Sequence, residues 1–233
     1  MKNRYFFISI TFLAIASNAQ ALKMTGAIIY DRSSNYQKIL YQLERKEVEK
    51  QGEKIVEDIF KDPHGNIVAT ESFVYKGEGL LSYQLKHFQL GVNGKVSLNT
   101  QTVTFTLGDK TSEEDFQSNV LSKNQVVPHL YQHWNELMAG ETISIRLLVV
   151  DRAETVGFKF FKEEETTYKE KQIVSIKMKP SNFIIAALVD PLIFKFEKDA
   201  PHKLLEVNGR VVPKQLVDDK WKDLDAVTVY QYQ

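Results

Sequence analysis

The chain of 233 residues carries 30 basic and 30 acidic side chains, 11% aromatic residues and no cysteine. The missing thiols exclude cysteine nucleophiles, cysteine-ligated zinc and iron–sulfur clusters. The charges are interspersed, with none of the basic stripe that a phosphate backbone requires, so nucleic acid is not an expected partner.

The chain opens Met-Lys-Asn-Arg, runs apolar from Phe6 to Ala16, and then reads Ser17-Asn18-Ala19-Gln20-Ala21. A basic start, an apolar centre and small residues at Ala19 and Ala21 predict a cleavable secretory signal peptide over residues 1–21. Its apolar centre is too short to span a bilayer, which takes roughly 20 residues. Cleavage removes Lys2 and Arg4 and leaves one expected domain, residues 22–233, with 28 bases against 30 acids. No cysteine follows the cleavage site to carry a lipid. The expected mature protein is therefore soluble, periplasmic and not membrane-spanning, and its fold must stand without disulfides.

Ile39, Tyr41 and Leu43 alternate with Leu40, Gln42 and Glu44, the period of two that marks a half-buried strand. Ile55, Ile59 and Phe60 carry the next segment. Asp62-Pro63-His64-Gly65-Asn66 predicts a hairpin into Ile67–Tyr75, because proline fixes one turn dihedral and Gly-Asn supplies positive φ. Gly91-Val92-Asn93-Gly94 predicts a second hairpin, from Leu81–Leu90 to Lys95–Asn99. Thr102–Leu107 is a further half-buried strand. Over Val126–Ala139 the apolar spacing lengthens to three and four, which predicts an amphipathic helix with Pro128 in its first turn and Gly140 at its end. Strands resume at Thr142–Val150 and Val156–Phe161, then a polar connector covers Lys162–Lys171 before the strand Ile173–Met178. Ser181 is expected to cap a short helix through Asn182–Val189. Leu192–Phe196, Lys203–Val207 and Arg210–Pro213 form strands around an Asn208-Gly209 turn, and Ala226–Tyr232 is a last strand. The predicted fold class is all-β: an antiparallel curved sheet or incomplete β-barrel of about 10–12 strands with one or two short helices. The Val126–Ala139 helix is expected to close one side.

Few residues combine into recognisable chemistry. His129 and His133 share a helix face, with Glu136 three residues on, so the three are weak candidates for a metal site. They lack the His-Glu-x-x-His arrangement, and neither metal nor cofactor is assigned. Asp151, Arg152 and Glu154 lie in a strand-end loop that suits a polar or anionic ligand, and Trp134 is the fourth candidate ligand-binding residue. No Gly-x-Ser-x-Gly elbow or phosphate loop is present, and the paired glutamates sit among lysines as exposed charge. No catalytic residue is therefore named. The many strand aromatics are read as core, or, in an open barrel, as the lining of an apolar cavity.

Three stretches carry a resemblance: Gly79-Leu80-Leu81-Ser82-Tyr83-Gln84; Val126 through Trp134 with Gly140-Glu141-Thr142; and Val150 through Phe158. With these the chain resembles a group of uncharacterised exported proteins of Gram-negative bacteria, over roughly residues 26 to 213. In architecture alone it is similar to the half-barrel lipoprotein carriers of the periplasm, although those open with a helix and this mature chain opens with a strand. The group of exported proteins carries no activity to transfer; export, aromatic-rich strands and missing catalytic signatures together lead to the expectation of a non-catalytic binding or carrier protein for a lipid or other apolar or amphipathic envelope molecule. A second expectation is an assembly factor that binds an envelope protein, and a third is a hydrolase of envelope polymers.

Overall fold

A computed structural model describes residues 23–187 and 189–233; the expected signal peptide lies outside the described residues. Alternating strands joined by tight turns produce a long meander. It runs β1 (Met24–Asp31), β2 (Ile39–Lys50), β3 (Glu53–Lys61), β4 (Ile67–Lys76), β5 (Gly79–His87), β6 (Val92–Leu98), β7 (Thr102–Leu107) and β8 (Lys110–Asp115). A short β9 (Val120–Leu121) leads into helices α1 (Lys123–Gln132) and α2 (Trp134–Met138). The second half comprises β10 (Ile143–Val149), β11 (Glu154–Tyr168), β12 (Lys171–Pro180), α3 (Phe183–Ala186), β13 (Leu192–Glu197) and β14 (Leu204–Arg210). A two-stranded ribbon, β15 (Gln215–Val217) and β16 (Lys220–Lys222), precedes β17 (Asp225–Tyr232). Fifteen strands form one curved sheet, in the order β8 to β1, then β17, β14, β13, β12, β11, β10 and β9. All neighbours are antiparallel except β9 and β10. The pairing of β1 with β17 fuses the two halves at the middle of the sheet.

The sheet does not close by a backbone ladder. Side chains bridge its two ends instead: Glu114 of β8 accepts from the Thr155 amide at 2.9 Å and the Thr155 hydroxyl at 2.5 Å, and Ser112 donates to the Ala153 carbonyl. Beside this seam the turn Val150–Arg152 drives buried Val150 against Gly94. A Cβ at Gly94 would stand 2.4 Å from Val150 Cγ1, so only glycine admits the contact. Helices α1 and α2 fill the inner face. Val126, Leu130, Trp134 and Leu137 pack with Ile145, Phe160, Ile176, Phe194 and Phe196 of the second half. A second cluster around Phe73, Tyr83 and Phe105 and a third around Ile29, Phe60 and Ala69 occupy the first half. Many of the strand aromatics are core: Phe73, Phe105, Phe160 and Phe196 are wholly buried, whereas Phe88 and Tyr168 are exposed.

The fold class is as the sequence predicts, while several boundaries move. There are 17 strands among the described residues, more than expected, because polar edges and ribbons such as β8 and β15–β16 lack apolar alternation. The Lys162–Lys171 connector is an extended hairpin of β11 and β12, in which Lys162, Lys177 and Lys198 neutralise Glu165 and Glu163. Asn208-Gly209 is not a turn. It lies within β14 opposite Val227 and Ala226, and Gly209 is needed because a Cβ there would meet Leu192 at 2.8 Å. The β5–β6 turn falls before Val92, with Gly91 at φ +65°, rather than at Gly91–Gly94. α1 begins at Lys123, three residues early, since Ser122 and Gln125 form a reciprocal capping box, and Pro128 therefore lies inside the helix. The helix is interrupted at His133. In α3 it is Asn182, not Ser181, that caps, accepting from the Ile184 and Ile185 amides.

Candidate ligand-binding site

The start of α1 meets the first half of the sheet through buried charges. Arg45 and Asp58, directly opposite on β2 and β3, form a bidentate pair at 2.7 and 2.6 Å, and the Arg45 guanidinium also donates to Asn124 Oδ1 at 2.6 Å. Asp58 is 2% exposed. Buried Glu71 pairs with Lys123 and accepts from the Tyr83 hydroxyl. Burial pulls the Lys123 pKa down, the carboxylate of Asp58 opposes that fall, and the Arg45 charge adds to it. Burial likewise raises the Tyr83 phenol, which stays a protonated donor. The network clamps the start of the helix to the sheet.

Open space is found elsewhere, at one end of the sheet. Strand registers bring the β1–β2, β3–β4, β5–β6 and β12–β13 connections and the β15–β16 ribbon to that end. The segment before the ribbon is strapped down. The Val212 carbonyl accepts from His87 Nε2 at 3.0 Å, and Gln89 takes both backbone groups of Lys214, at 2.9 and 3.1 Å. Tyr41 donates its hydroxyl to the Lys214 carbonyl at 2.6 Å; burial raises its pKa and keeps the proton there. The ribbon then stands between two clefts that share Tyr41. One, about 340 Å³, is walled by Ile67, Val68, Phe88 and Trp221, with Asp62 and Gln89 at its rim. Phe88 is 57% and Trp221 41% exposed. The other, about 420 Å³, is rimmed by Asp31, Arg32, Lys38, Asp223 and Asp225 over Leu40, Leu216 and Leu224. Hydrogen bonds from Ser33, with Lys38 beside them, hold the Asp31 carboxyl below its usual range. The smaller cleft is thus an open, more apolar depression beside a charged one, and the two meet at Tyr41.

The candidate residues from sequence are scattered. Asp151, Arg152 and Glu154 lie on the turn at the sheet seam, where Arg152 pairs locally with Glu154 at 2.8 Å in solvent. Trp134 belongs to another core cluster. It is buried, stacked on His202 with ring centroids 4.1 Å apart, and set edge-on to Phe196. His129 and His133 do share a helix face, 4.5 Å between centroids, and His133 pairs with Glu136. Among the described residues no three histidine or acidic side chains are placed to hold a metal ion. From the sequence, Tyr41 and Phe88 are only two of many strand aromatics that could pack the core or line a cavity, and Trp221 is not singled out; the three are remote in the chain. One signal for the ribbon was present: Asp218 and Asp219 both adopt positive φ, the two-residue hairpin conformation that aspartate tolerates.

No protein-family model matches the chain, and no curated protein matches it. Among solved structures it is similar to the β-barrel-like protein of domain of unknown function DUF1849 from Brucella abortus, at 9% identity and a TM-score of 0.51. The match covers 91% of this chain and 98% of that one. At that identity the likeness defines the class by fold alone: a β-barrel-like protein with one open, curved sheet. No helix among the described residues is long and apolar enough to cross a membrane.

Proposed function

We propose that this is an exported, periplasmic, non-catalytic protein that binds an amphipathic envelope molecule at the two clefts beside the β15–β16 ribbon. The observation that carries the reading is their adjacency. Phe88 and Trp221 wall an apolar pocket that meets, at Tyr41, a cleft rimmed by carboxylates, Arg32 and Lys38. The interior of the sheet is not the binding place, because helices α1 and α2 and three packed clusters fill it.

Trp221 supplies the test. It and Trp134 are the only tryptophans, so Trp134→Phe leaves a single reporter at the apolar cleft. Titration of that variant with lysophosphatidylethanolamine below its micellar concentration is expected to give a saturable blue shift, weakened by Phe88→Ala. A folded protein with no saturable change would overturn the assignment.

A further inference from the structure

We propose that the cleft-bearing end docks on a bilayer carrying anionic phospholipid, with Phe183 and Ile184 entering the interface and Lys159 and Lys179 facing the headgroups. This goes beyond cargo binding and stands whether or not the clefts hold a ligand.

Phe183 is 82% and Ile184 58% exposed, on a turn of helix that immediately follows β12. Folding leaves two large apolar side chains side by side in water, where interfacial burial would stabilise them. The charges on the strands that lead toward α3 point to the surface that would cover them. Lys159 of β11 and Lys179 of β12 are directly opposite in the sheet, which sets their Cβ atoms about 5 Å apart. Both are exposed, and neither joins an ion pair among the described residues; Lys179 lies only over the Phe161 ring, 5.2 Å from its centroid. Like charges directly opposite on a sheet are destabilising. On the neighbouring strand positions the pattern is different, since Lys177 is neutralised by Glu163 and Lys195 by Glu206. Asp190, the acid that follows α3, is occupied by Arg32 at 3.1 Å. Two ammonium groups without an ion-pair partner among the described residues, on the strand ends that lead toward α3, together with its two exposed apolar side chains fit an interface of negative headgroups over acyl chains.

Position adds to the argument. Arg32 lines the larger cleft and ties its rim to the segment after α3. Exposed Ile67, Phe88, Leu216 and Trp221 belong to the same end of the sheet, so docking through α3 brings the cleft mouths toward the bilayer. Asp218 and Asp219 at the ribbon tip are repelled by anionic lipid, so the protein meets the surface tilted onto its β11–β13 side.

The experiment is sedimentation of the mature chain with phosphatidylcholine vesicles containing or lacking 30% phosphatidylglycerol, about a third of the lipid, at low and high salt. Binding is expected on the anionic vesicles, falling with salt. Phe183→Ser with Ile184→Ser should abolish most of it, and Lys159→Gln with Lys179→Gln should weaken it about fivefold for each lysine removed. All four side chains are on the surface, so unchanged circular dichroism and Tm certify the fold of each variant. No binding by folded wild-type protein, equal binding to both vesicle types, or full binding by the Phe183/Ile184 variant would overturn the proposal. Site-directed cross-linking from position 183 that yields one protein adduct and no lipid would also overturn it, in favour of a protein partner. Phe183 and Ile184 line neither cleft, so loss of vesicle binding in their serine variant with the Trp221 titration intact separates this proposal from cargo binding.

Discussion

Replacing Asp58 by alanine tests the clamp between helix and sheet. The substitution leaves the Arg45 guanidinium, itself largely buried, with Asn124 as its one remaining side-chain partner. Removing one member of a buried ion pair costs about 3–5 kcal/mol, most of it from the stranded charge. For a domain of this size each kcal/mol moves Tm by about 2–4 °C, so a fall of roughly 6–20 °C is expected. The diagnostic is the double variant Arg45→Met/Asp58→Leu, in which no charge is stranded. It should recover most of the loss, with a coupling of at least about 2 kcal/mol between the sites. Urea unfolding followed by circular dichroism of the wild type, Arg45→Met, Asp58→Leu and the double variant measures all four corners of the cycle. A cost below about 1 kcal/mol for Asp58→Ala, or strict additivity in the double variant, would refute the clamp.

Two glycines should rank by what their Cβ would strike. Gly26→Ala meets the Leu43 carbonyl oxygen at 2.3 Å, a backbone atom, whereas Gly94→Ala meets the Val150 side chain at 2.4 Å. Thermal unfolding should show the larger loss for Gly26→Ala, with Gly94→Ala in the range of about 1–3 kcal/mol typical of overpacking. Arg152→Ala removes a solvated ion pair, so its stability should shift by no more than about 1 kcal/mol and the Trp221 titration should be unchanged; a larger shift or a loss would contradict this. His87 donates Nε2–H to Val212 while its buried Nδ1 has no partner, and burial lowers its pKa below 6.5. The unfolded chain therefore binds the proton more readily, and stability should decline as pH drops through 6.5 toward the folded value. In His87→Gln, which cannot titrate, denaturation midpoints between pH 5 and 6.5 should vary less; an unchanged slope would contradict the assignment.

Most strands were legible because one face of each is buried: Ala27 and Ile29, Phe73 and Tyr75, and Val103 and Phe105 keep the period of two. Legibility failed where that asymmetry disappears. The outer part of the β11–β12 hairpin is solvated on both sides, and its turn, Lys169-Glu170, has positive φ at both residues without the usual Asn or Gly. Asn208-Gly209 misled for the converse reason, a turn-forming pair used for close packing against Leu192. The helix was found from its apolar spacing, yet its first turn holds the half-buried polar residues Lys123 and Asn124, which no hydrophobic pattern marks. The cleft was invisible for a topological reason. Tyr41, Phe88 and Trp221 come from β2, the β5–β6 turn and the ribbon, and only the curvature of the sheet brings them together. The loop chosen from sequence, Asp151 to Glu154, lies at the seam where Ala153 and Thr155 bond to β8.

Native mass spectrometry of the mature protein, expressed from its full precursor in a Gram-negative host and purified without detergent, tests the binding account most directly. The expected spectrum shows a chain beginning at Leu22 with an added mass that solvent extraction removes, and that Phe88→Ala diminishes. A bare polypeptide, together with a silent Trp221 titration, would contradict it and leave a protein partner as the use for the exposed end of the sheet.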